Sequence, residues 1–512
     1  MLKKTVFCCA LLAPGFPCLA ADGARPAEPA ALVSSVSFSG NAAFSPAELL
    51  DALELRPGAA WTGEKEAFDR ELLTSFYHNR GYSDAEITVS SLPDGTSVFV
   101  RIGITEGPVY SFGDTSVTGL RALPERVVKK ELDYRKGDPY SYERLIRSQS
   151  RLYAANWFER LRTTVSSSPV SRLIDVNISA REKPMLWVKT GVGYGSEEKE
   201  RLTLGLTHNN FLNRGYQAQV TGTLSRIWLE YHGEILNRNF LFSRTELRDG
   251  LTWRRERREG YDMESVKNLL SLGRELGKGL SASVQYRMQR TLIFGVDPLL
   301  TTEAPSLSQT RAVSVAVNRD TTDDFFYPRA GSRSEAALER SGGFWGGDIS
   351  FYKGTLRHTL YQKLFWEITG LLSAAGGFIQ ETGRTPDVPI FERFFMGGGN
   401  SVRGYGERDV GPEDANGNPL GGKTSLEGHA ELRFPLYKGF KGALFLDGGQ
   451  VADSLSGSAP ANWKYGAGGG LRYLTPVGPI RLDFGYKLNP EKPTAVAKAD
   501  TWRIHFTIGE AF

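Results

Sequence analysis

The sequence predicts a sixteen-stranded antiparallel transmembrane β-barrel preceded by two small α+β units, each of order βααββ. Three observations predict it. Apolar and polar residues alternate at period two through the second part of the chain, a βααββ pattern is written twice before that, and an apolar leader precedes both. The bulk numbers agree: 512 residues with 40% hydrophobic content, 57 glycines and 23% charged residues have a mean hydropathy of −0.31, too polar for a bundle of spanning helices. Past the leader no apolar run reaches the ~18 residues that a spanning helix needs. A closed barrel is the other backbone arrangement that lipid permits. A net charge of +4 offers no basic stripe, so nucleic acid is not an expected partner.

The leader is a secretory signal peptide at 1–21: a Met-Leu-Lys-Lys start, an apolar stretch over 5–19 and small residues at the cleavage site. Cys8, Cys9 and Cys18 all fall within it. The mature chain is therefore expected to carry no thiol, which removes disulfides, zinc thiolates and a cysteine nucleophile together.

The repeat follows. Its first copy reads as a strand at 33–38, Gly40, a helix at 46–53, Gly58, a longer helix at 64–79, and strands at 85–90 and 98–105. The second has a strand at 109–117, Gly119, helices at 124–132 and 142–155 around Gly137, and strands at 162–167 and 173–180. Glu106-Gly-Pro closes the first copy and Glu182-Lys-Pro the second. The expected domains span 32–107 and 108–183, each with helices over one face of a short mixed sheet. An open strand edge in such a unit can accept an extended segment of another chain; a plain structural spacer is the alternative.

From 185 to 512 the chain reads as the barrel. Leu186, Val188, Thr190, Val192 and Tyr194 are spaced by two, as are Leu202, Leu204 and Leu206. Further alternating segments lie near 216–224, 227–236, 245–253, 262–273, 280–290, 310–319, 332–340, 348–361, 365–376, 425–434, 441–450, 464–474, 479–488 and 501–512. The Arg-rich run at 253–258 is expected to be a charged loop at a strand end. Long connections at 291–309 and 377–424 fall on one side and short turns on the other, with 319–331 long for its side. In the last strand Trp502, Ile504, Phe506, Ile508 and Phe512 share one face.

One loop stands apart, at 391–405: Phe-Glu-Arg-Phe-Phe-Met-Gly-Gly-Gly-Asn-Ser-Val-Arg-Gly-Tyr. Arg403 is held among glycines, which let backbone approach closely, and it needs an acidic partner. Alternation turns Leu426, Ala430, Leu432 and Phe434 to lipid, hence Glu427, His429, Glu431 and Arg433 to the lumen; likewise Leu444 and Leu446 face out, Phe445 and Asp447 in. Two readings fit. Either the loop folds into the bore and Arg403 meets Glu431 and Asp447, or Arg403 stays in water and both acids line a wet pore.

The leader, the repeated units, this loop, the Phe-Leu-Asp-Gly at 445–448, the Thr-Pro-Val-Gly-Pro-Ile-Arg-Leu-Asp-Phe at 475–484 and the aromatic terminus together resemble the outer-membrane assembly and translocation superfamily of BamA and TamA, closest to TamA-like members. The resemblance covers nearly the whole mature chain, and Val-Arg-Gly-Tyr is its most specific part. It implies that the repeated units are polypeptide-transport-associated (POTRA) domains in the periplasm of a Gram-negative cell, below a barrel in the outer membrane. It implies that Gly398, Gly399, Val402, Arg403, Gly404 and Tyr405 form the loop motif, with Glu431 and Asp447 as the acids that grip its arginine. The face of Trp502, Ile504, Phe506, Ile508 and Phe512 looks like the terminal recognition signal of such barrels.

Members insert or translocate other outer-membrane or secreted proteins through a weakly paired seam between first and last strands. Here that seam joins 186–194, with Gly191, Gly193 and Gly195 nearby, to 501–512. The implied partners are unfolded outer-membrane or secreted polypeptides and outer-membrane lipid, with a periplasmic or inner-membrane partner of the POTRA units left open. BamA and TamA relatives usually carry more POTRA units, whereas two is the number in two-partner secretion transporters. That reading ranks second, because those transporters usually carry a plug helix and 22–31 is too short and proline-rich for one.

Other classes fit less well. Residues 417–424, Gly-Asn-Pro-Leu-Gly-Gly-Lys-Thr, match a phosphate-binding loop literally, yet no buried strand precedes them and no helix follows. The six histidines His78, His208, His232, His358, His429 and His505 show no ligand spacing, and His429 reads as a lumen residue. No cofactor and no Ser-His-acid arrangement is expected, so the chain does not read as an enzyme. A passive porin is the rival from another class.

Overall fold

The computed structural model describes residues 31–241, 245–298, 306–325, 327–383, 385–454, 457, 462–475, 478–490 and 500–508. The expected leader at 1–21, Pro476, Val477 and Phe512 lie outside them.

The first repeat places β1 (Leu32–Ser39), α1 (Pro46–Asp51), α2 (Gly63–His78), β2 (Glu86–Asp94) and β3 (Ser97–Thr105) in chain order. The sheet order is β1-β3-β2, with β1 parallel and β2 antiparallel to β3. Alternation on β3 buries Val98, Val100, Ile102 and Ile104 against Leu49, Leu53, Leu73 and Tyr77 from the helical side. Ser45 begins α1 with a capping box: its hydroxyl accepts the Glu48 N–H, and Glu48 in turn accepts the Ser45 N–H at 2.9 Å. Those Ser45 hydrogen bonds hold the Glu48 carboxyl below its usual range. Buried Asp69 on α2 accepts the N–H groups of Glu54 and Leu55 at 2.9 and 2.8 Å, ending the turn after α1. Burial, with help from the Glu106 carboxylate, pushes the Tyr77 hydroxyl well above its ordinary range.

The second repeat has β4 (Ser111–Thr118), α3 (Glu125–Lys130), α4 (Tyr142–Ala154), β5 (Phe158–Ser168) and β6 (Leu173–Glu182), with sheet order β4-β6-β5. The likeness between copies extends to atoms. Ser148 accepts the Asp133 N–H at 2.7 Å at the same separation in sequence as Asp69 and Glu54. Glu106 accepts the Ala43 N–H at 2.9 Å, and Glu182 accepts that of Ala122 at 2.9 Å. Gly40 and Gly119 have φ of +82° and +85°, and a Cβ at either would run into a carbonyl oxygen, of Ile104 or Ala180.

By its contacts the described chain forms two compact units. The first takes the first repeat with parts of the second (to Ser116, Tyr134–Arg147 and Thr164–Asn177); the other takes Val117–Asp133, Ser148–Thr163 and everything from Ile178 on. Inside the second unit, Trp157 is buried and its indole N–H donates to the Asn209 carbonyl at 2.7 Å.

The barrel strands are β7 (Leu186–Gly195), β8 (Lys199–Phe211), β9 (Tyr216–Ser225), β10 (Trp228–Asn237), β11 (Thr245–Arg258), β12 (Tyr261–Gly277), β13 (Leu280–Phe294), β14 (Leu307–Asp320), β15 (Gly331–Ser341), β16 (Phe351–Lys363), β17 (Thr369–Glu381), β18 (Thr424–Tyr437), β19 (Phe440–Ala452), β20 (Lys464–Thr475), β21 (Gly478–Lys487) and β22 (Trp502–Ile508). Each pairs with its neighbour in chain order, and β22 returns to β7, closing a sixteen-stranded antiparallel barrel. The outward face is apolar: Leu202, Leu204, Leu206, Val220 and Leu224 are all at least half exposed, as a wall in contact with lipid must be.

Two expectations need correction. The Arg-rich run at 253–258 is strand, the end of β11, paired through Arg258 opposite Tyr261. Its charges satisfy one another there: Arg254 Nε lies 2.8 Å from Glu256, Arg258 also contacts Glu256, and Glu256 is buried. Residues 365–368 belong to the turn before β17, where Ile368 N–H donates to the Phe365 carbonyl at 2.9 Å. The apolar pair Phe365 and Trp366 reads as strand in sequence but stands exposed at that turn.

Gly40→Ala is expected to destabilise the first repeat by at least ~1 kcal/mol, because alanine must adopt a left-handed φ and collide with a carbonyl. Limited proteolysis of the full chain in a urea series checks it: cutting within 32–105 should begin at lower urea than in the native chain, while the barrel stays intact.

Candidate functional site: the loop arginine inside the barrel

The site is built from a loop and the four strands that follow it. After β17 the chain turns inward; Ile390, Val388 and Met396 are buried, and Phe394 bridges to Gly422. Tyr405 and Val402 are buried in a cluster with Met396, Val410 and Val451, and the Tyr405 hydroxyl donates to the Asn489 carbonyl at 3.1 Å. This apolar packing fixes the loop on either side of Arg403.

Arg403 is 4% exposed. Its Nε donates to Asp447 Oδ2 at 2.6 Å, Nη2 to Asp447 Oδ1 at 2.7 Å and Nη1 to Glu431 Oε2 at 2.7 Å. Its backbone N–H also donates to Asp447, at 3.1 Å. The guanidinium lies over the Phe445 ring, 3.4 Å from the centroid. Asp447 is fully buried and Glu431 nearly so. The fork of the guanidinium thus takes one carboxylate bidentately and a second end-on, geometry that a lysine lacks.

Around this pair the lumen is a charge network that period-two alternation alone does not assign. His429 Nδ1 lies 2.9 Å from Asp447 and its Nε2 3.1 Å from Glu427, while Glu427 accepts the Ser401 hydroxyl at 2.5 Å. Buried Asp483 on β21 stands 3.7 Å from Arg403 and pairs with Arg472 and Arg481 at 2.5 and 2.6 Å. Alternation with Leu482 and Phe484, which face out, is the signal that would have placed Asp483 inward. Close approach depends on glycines of β20 and β21. A Cβ at Gly466 would strike the Arg403 carbonyl oxygen, and one at Gly485 the Gly404 nitrogen.

A second anchor went unread in sequence. Glu392, 4% exposed, meets Arg287 of β13 at 2.8 Å, and Lys353 of β16 donates to the Glu392 carbonyl at 2.8 Å. It pins the start of the loop to the inner faces of β13 and β16.

The remaining expected residues sit as follows. Gly398 and Gly399 lie against Glu197 and His505. Trp502 and Ile504 face outward, about half exposed, and Phe506 lies 6.1 Å from Tyr194 between ring centroids, across the junction of last and first strands. That junction is short among the described residues: Thr507 opposite Gly195 and Ile508 opposite Tyr194, continued by Ser196 N–H donating to the Phe506 carbonyl at 2.8 Å. By contrast β21 and β22 pair from Ile480↔Ile508 to Tyr486↔Trp502. The phosphate-loop lookalike forms no such site: Lys423 pairs with Glu381 and Asp387 at 3.2 and 3.1 Å, and β18 follows it.

Comparison with known proteins gives matches over both parts. The Omp85 superfamily domain matches residues 210–512, and the POTRA family, described as surface antigen variable number repeat, matches 31–107 and 110–183. The outer membrane protein assembly factor BamA of Nitratidesulfovibrio vulgaris is 24% identical over 456 residues, 87% of this chain and 57% of that protein. The chain therefore spans little more than half the length of that relative. Among solved structures, BamA from Haemophilus ducreyi lacking POTRA domains 1-3 superposes with a TM-score of 0.70 at 16% identity, covering 93% of this chain and 99% of that one. CdiB from Escherichia coli gives 0.58 at 17% identity, covering 94% and 90%.

Arg403→Ala leaves two carboxylates buried without their cation, a loss of about 3–5 kcal/mol. The loop is expected to leave the bore, seen as new protease cutting within 391–405 in a folded barrel. Exchanging charges in Arg403→Asp/Asp447→Arg should recover part of the protection. Gly466→Ala should loosen the loop without touching any charge, whereas Gly469→Ala, with ordinary contacts only, should not.

Proposed function

The chain belongs to the Omp85 superfamily, and from that premise we propose that it assembles or inserts other outer-membrane proteins, receiving polypeptides through its POTRA units and handing them on at the seam between β22 and β7. In this reading the barrel sits in the outer membrane, the two POTRA units at 32–107 and 108–183 lie in the periplasm, and 1–21 is a removed leader. Exposed sheet edges of the repeats, such as β2, take extended segments of the substrate by strand addition. The chain has no enzymatic role and uses no cofactor. Its partners are unfolded outer-membrane or secreted polypeptides and the surrounding lipid.

One observation carries this reading: a loop arginine gripped by two inward acids beside the junction of last and first strands. A passive porin needs an open bore and has no use for a loop gripped inside it. The loop motif, Val402 to Tyr405, then acts as a positioning element of the wall, and the outward face of Trp502, Ile504, Phe506 and Ile508, continued by Phe512, as the terminal recognition signal.

A second reading, a two-partner secretion transporter for one secreted protein, is favoured by the structural likeness to CdiB.

The test is a seam lock. With Gly195→Cys/Thr507→Cys oxidised across the seam, assembly of client barrels in reconstituted vesicles should fall to background and return on reduction. Full assembly with the lock closed contradicts the reading. A locked chain that loses export of one secreted protein while client barrels still assemble supports the secretion transporter, and steady high conductance with neither activity supports the porin.

A further inference from the structure

Just beyond the pair Thr507↔Gly195, the loop touches both sides of the seam. Glu197 lies in the turn between β7 and β8; its Oε1 accepts the Gly399 N–H at 2.6 Å. The same oxygen is 3.2 Å from Nδ1 of His505 on β22, though off the line of a well-formed hydrogen bond. His505 is 3% exposed, and its Nε2 accepts the Gly404 N–H at 3.3 Å. An imidazole whose Nε2 accepts carries its proton on Nδ1, the nitrogen that faces Glu197. On the other side of the loop, Arg481 of β21 donates to the Gly399 carbonyl at 2.6 Å and to Asn400 Oδ1 at 3.1 Å. The loop packs closely here: Gly398 takes a left-handed φ of +93° with its Cβ position 2.6 Å from the Glu197 carboxylate, and a Cβ on Gly399 would stand 3.2 Å from His505.

The neighbouring acid behaves differently. Glu198 pairs with Arg201 at 2.7 Å, within its own hairpin. Ser196 of the same turn bonds the last strand through Phe506, and Glu197 reaches both the last strand and the loop.

We infer that Glu197 and His505 are positioning residues that clasp the loop across the seam, so that first hairpin, loop backbone and last strand part together. The inference rests on the seam being the working part of the barrel. At the end of a ladder the backbone pairs run out, and a charge-assisted hydrogen bond there adds to what keeps the strands together. The clasp gives the Arg403 motif a direct hold on the seam: loop and seam move as one because Gly399 and Gly404 donate to groups on its two sides.

The experiment uses the full chain in lipid vesicles, with spin labels attached through Glu200→Cys and Asp500→Cys, two exposed positions on either side of the seam. Pulsed electron resonance then reads the distance between them. In Glu197→Ala a longer distance should gain population by about tenfold relative to the native chain, as loss of one charge-assisted hydrogen bond implies. Glu197→Gln keeps an acceptor for the Gly399 N–H and should fall between the two. Glu198→Ala should leave the distribution unchanged. His505→Gln probes the clasp from the last strand should Glu197→Ala fail to fold, and it should shift in the same direction. Native-like distributions in folded Glu197→Ala or His505→Gln chains overturn the inference. The outcome is separable from the function: a locked seam that still assembles clients defeats the proposed function, whatever the distances show.

Discussion

A guanidinium buried in a protein-walled bore is expensive to desolvate, and Arg403 is tolerated there only because Asp447 and Glu431 meet it with three hydrogen bonds from its side chain. The dependence runs in both directions. The acids point inward from β18 and β19 and, without the loop, would face each other and Asp483 with fewer cations between them. The loop, without the acids, has no charge to hold it. Phe445 beneath the guanidinium and the glycines at 466 and 485 set how deep the backbone can sit. Their small size is thus part of the electrostatics, since the charges meet only if the chain can come that close.

The wall around this centre is regular where it faces lipid and irregular in one place. Outward leucines and valines supply the apolar face, and cross-strand ladders satisfy the backbone, as a membrane interior demands. The exception is the junction of β22 with β7, where two residue pairs are formed among the described residues. The loop approaches that junction through Glu197, Arg481 and His505, while Glu392 fastens its beginning to Arg287 of β13 and Lys353 of β16. A single excursion of the chain is therefore tied at its start to β13 and β16 and further on to both sides of the junction of last and first strands.

Much of this was legible in the sequence because β-alternation fixes sides. It gave the inward direction of Glu431 and Asp447 and the outward direction of Leu444 and Leu446. The repeated Gly40 and Gly119, and Glu106 and Glu182, were visible as punctuation, and the structure supplies their reason in left-handed turns and shared backbone acceptors. What was not legible is depth and partnership. Alternation says that His429 faces in, not that it bridges Asp447 and Glu427. The arginines at 254 and 258 look like loop residues until Glu256 is seen between them. Glu392 and Arg287 lie more than a hundred residues apart and carry no local pattern.

The most direct measurement is a double-mutant cycle on Arg403 and Asp447, using Arg403→Met, Asp447→Asn and the pair together, with urea unfolding of the full chain in detergent micelles as readout. A coupling energy of at least ~1.5 kcal/mol is predicted, because each group is buried for the sake of the other. Additivity to within ~0.5 kcal/mol would mean that the two groups do not sustain each other, and would contradict the account at its centre.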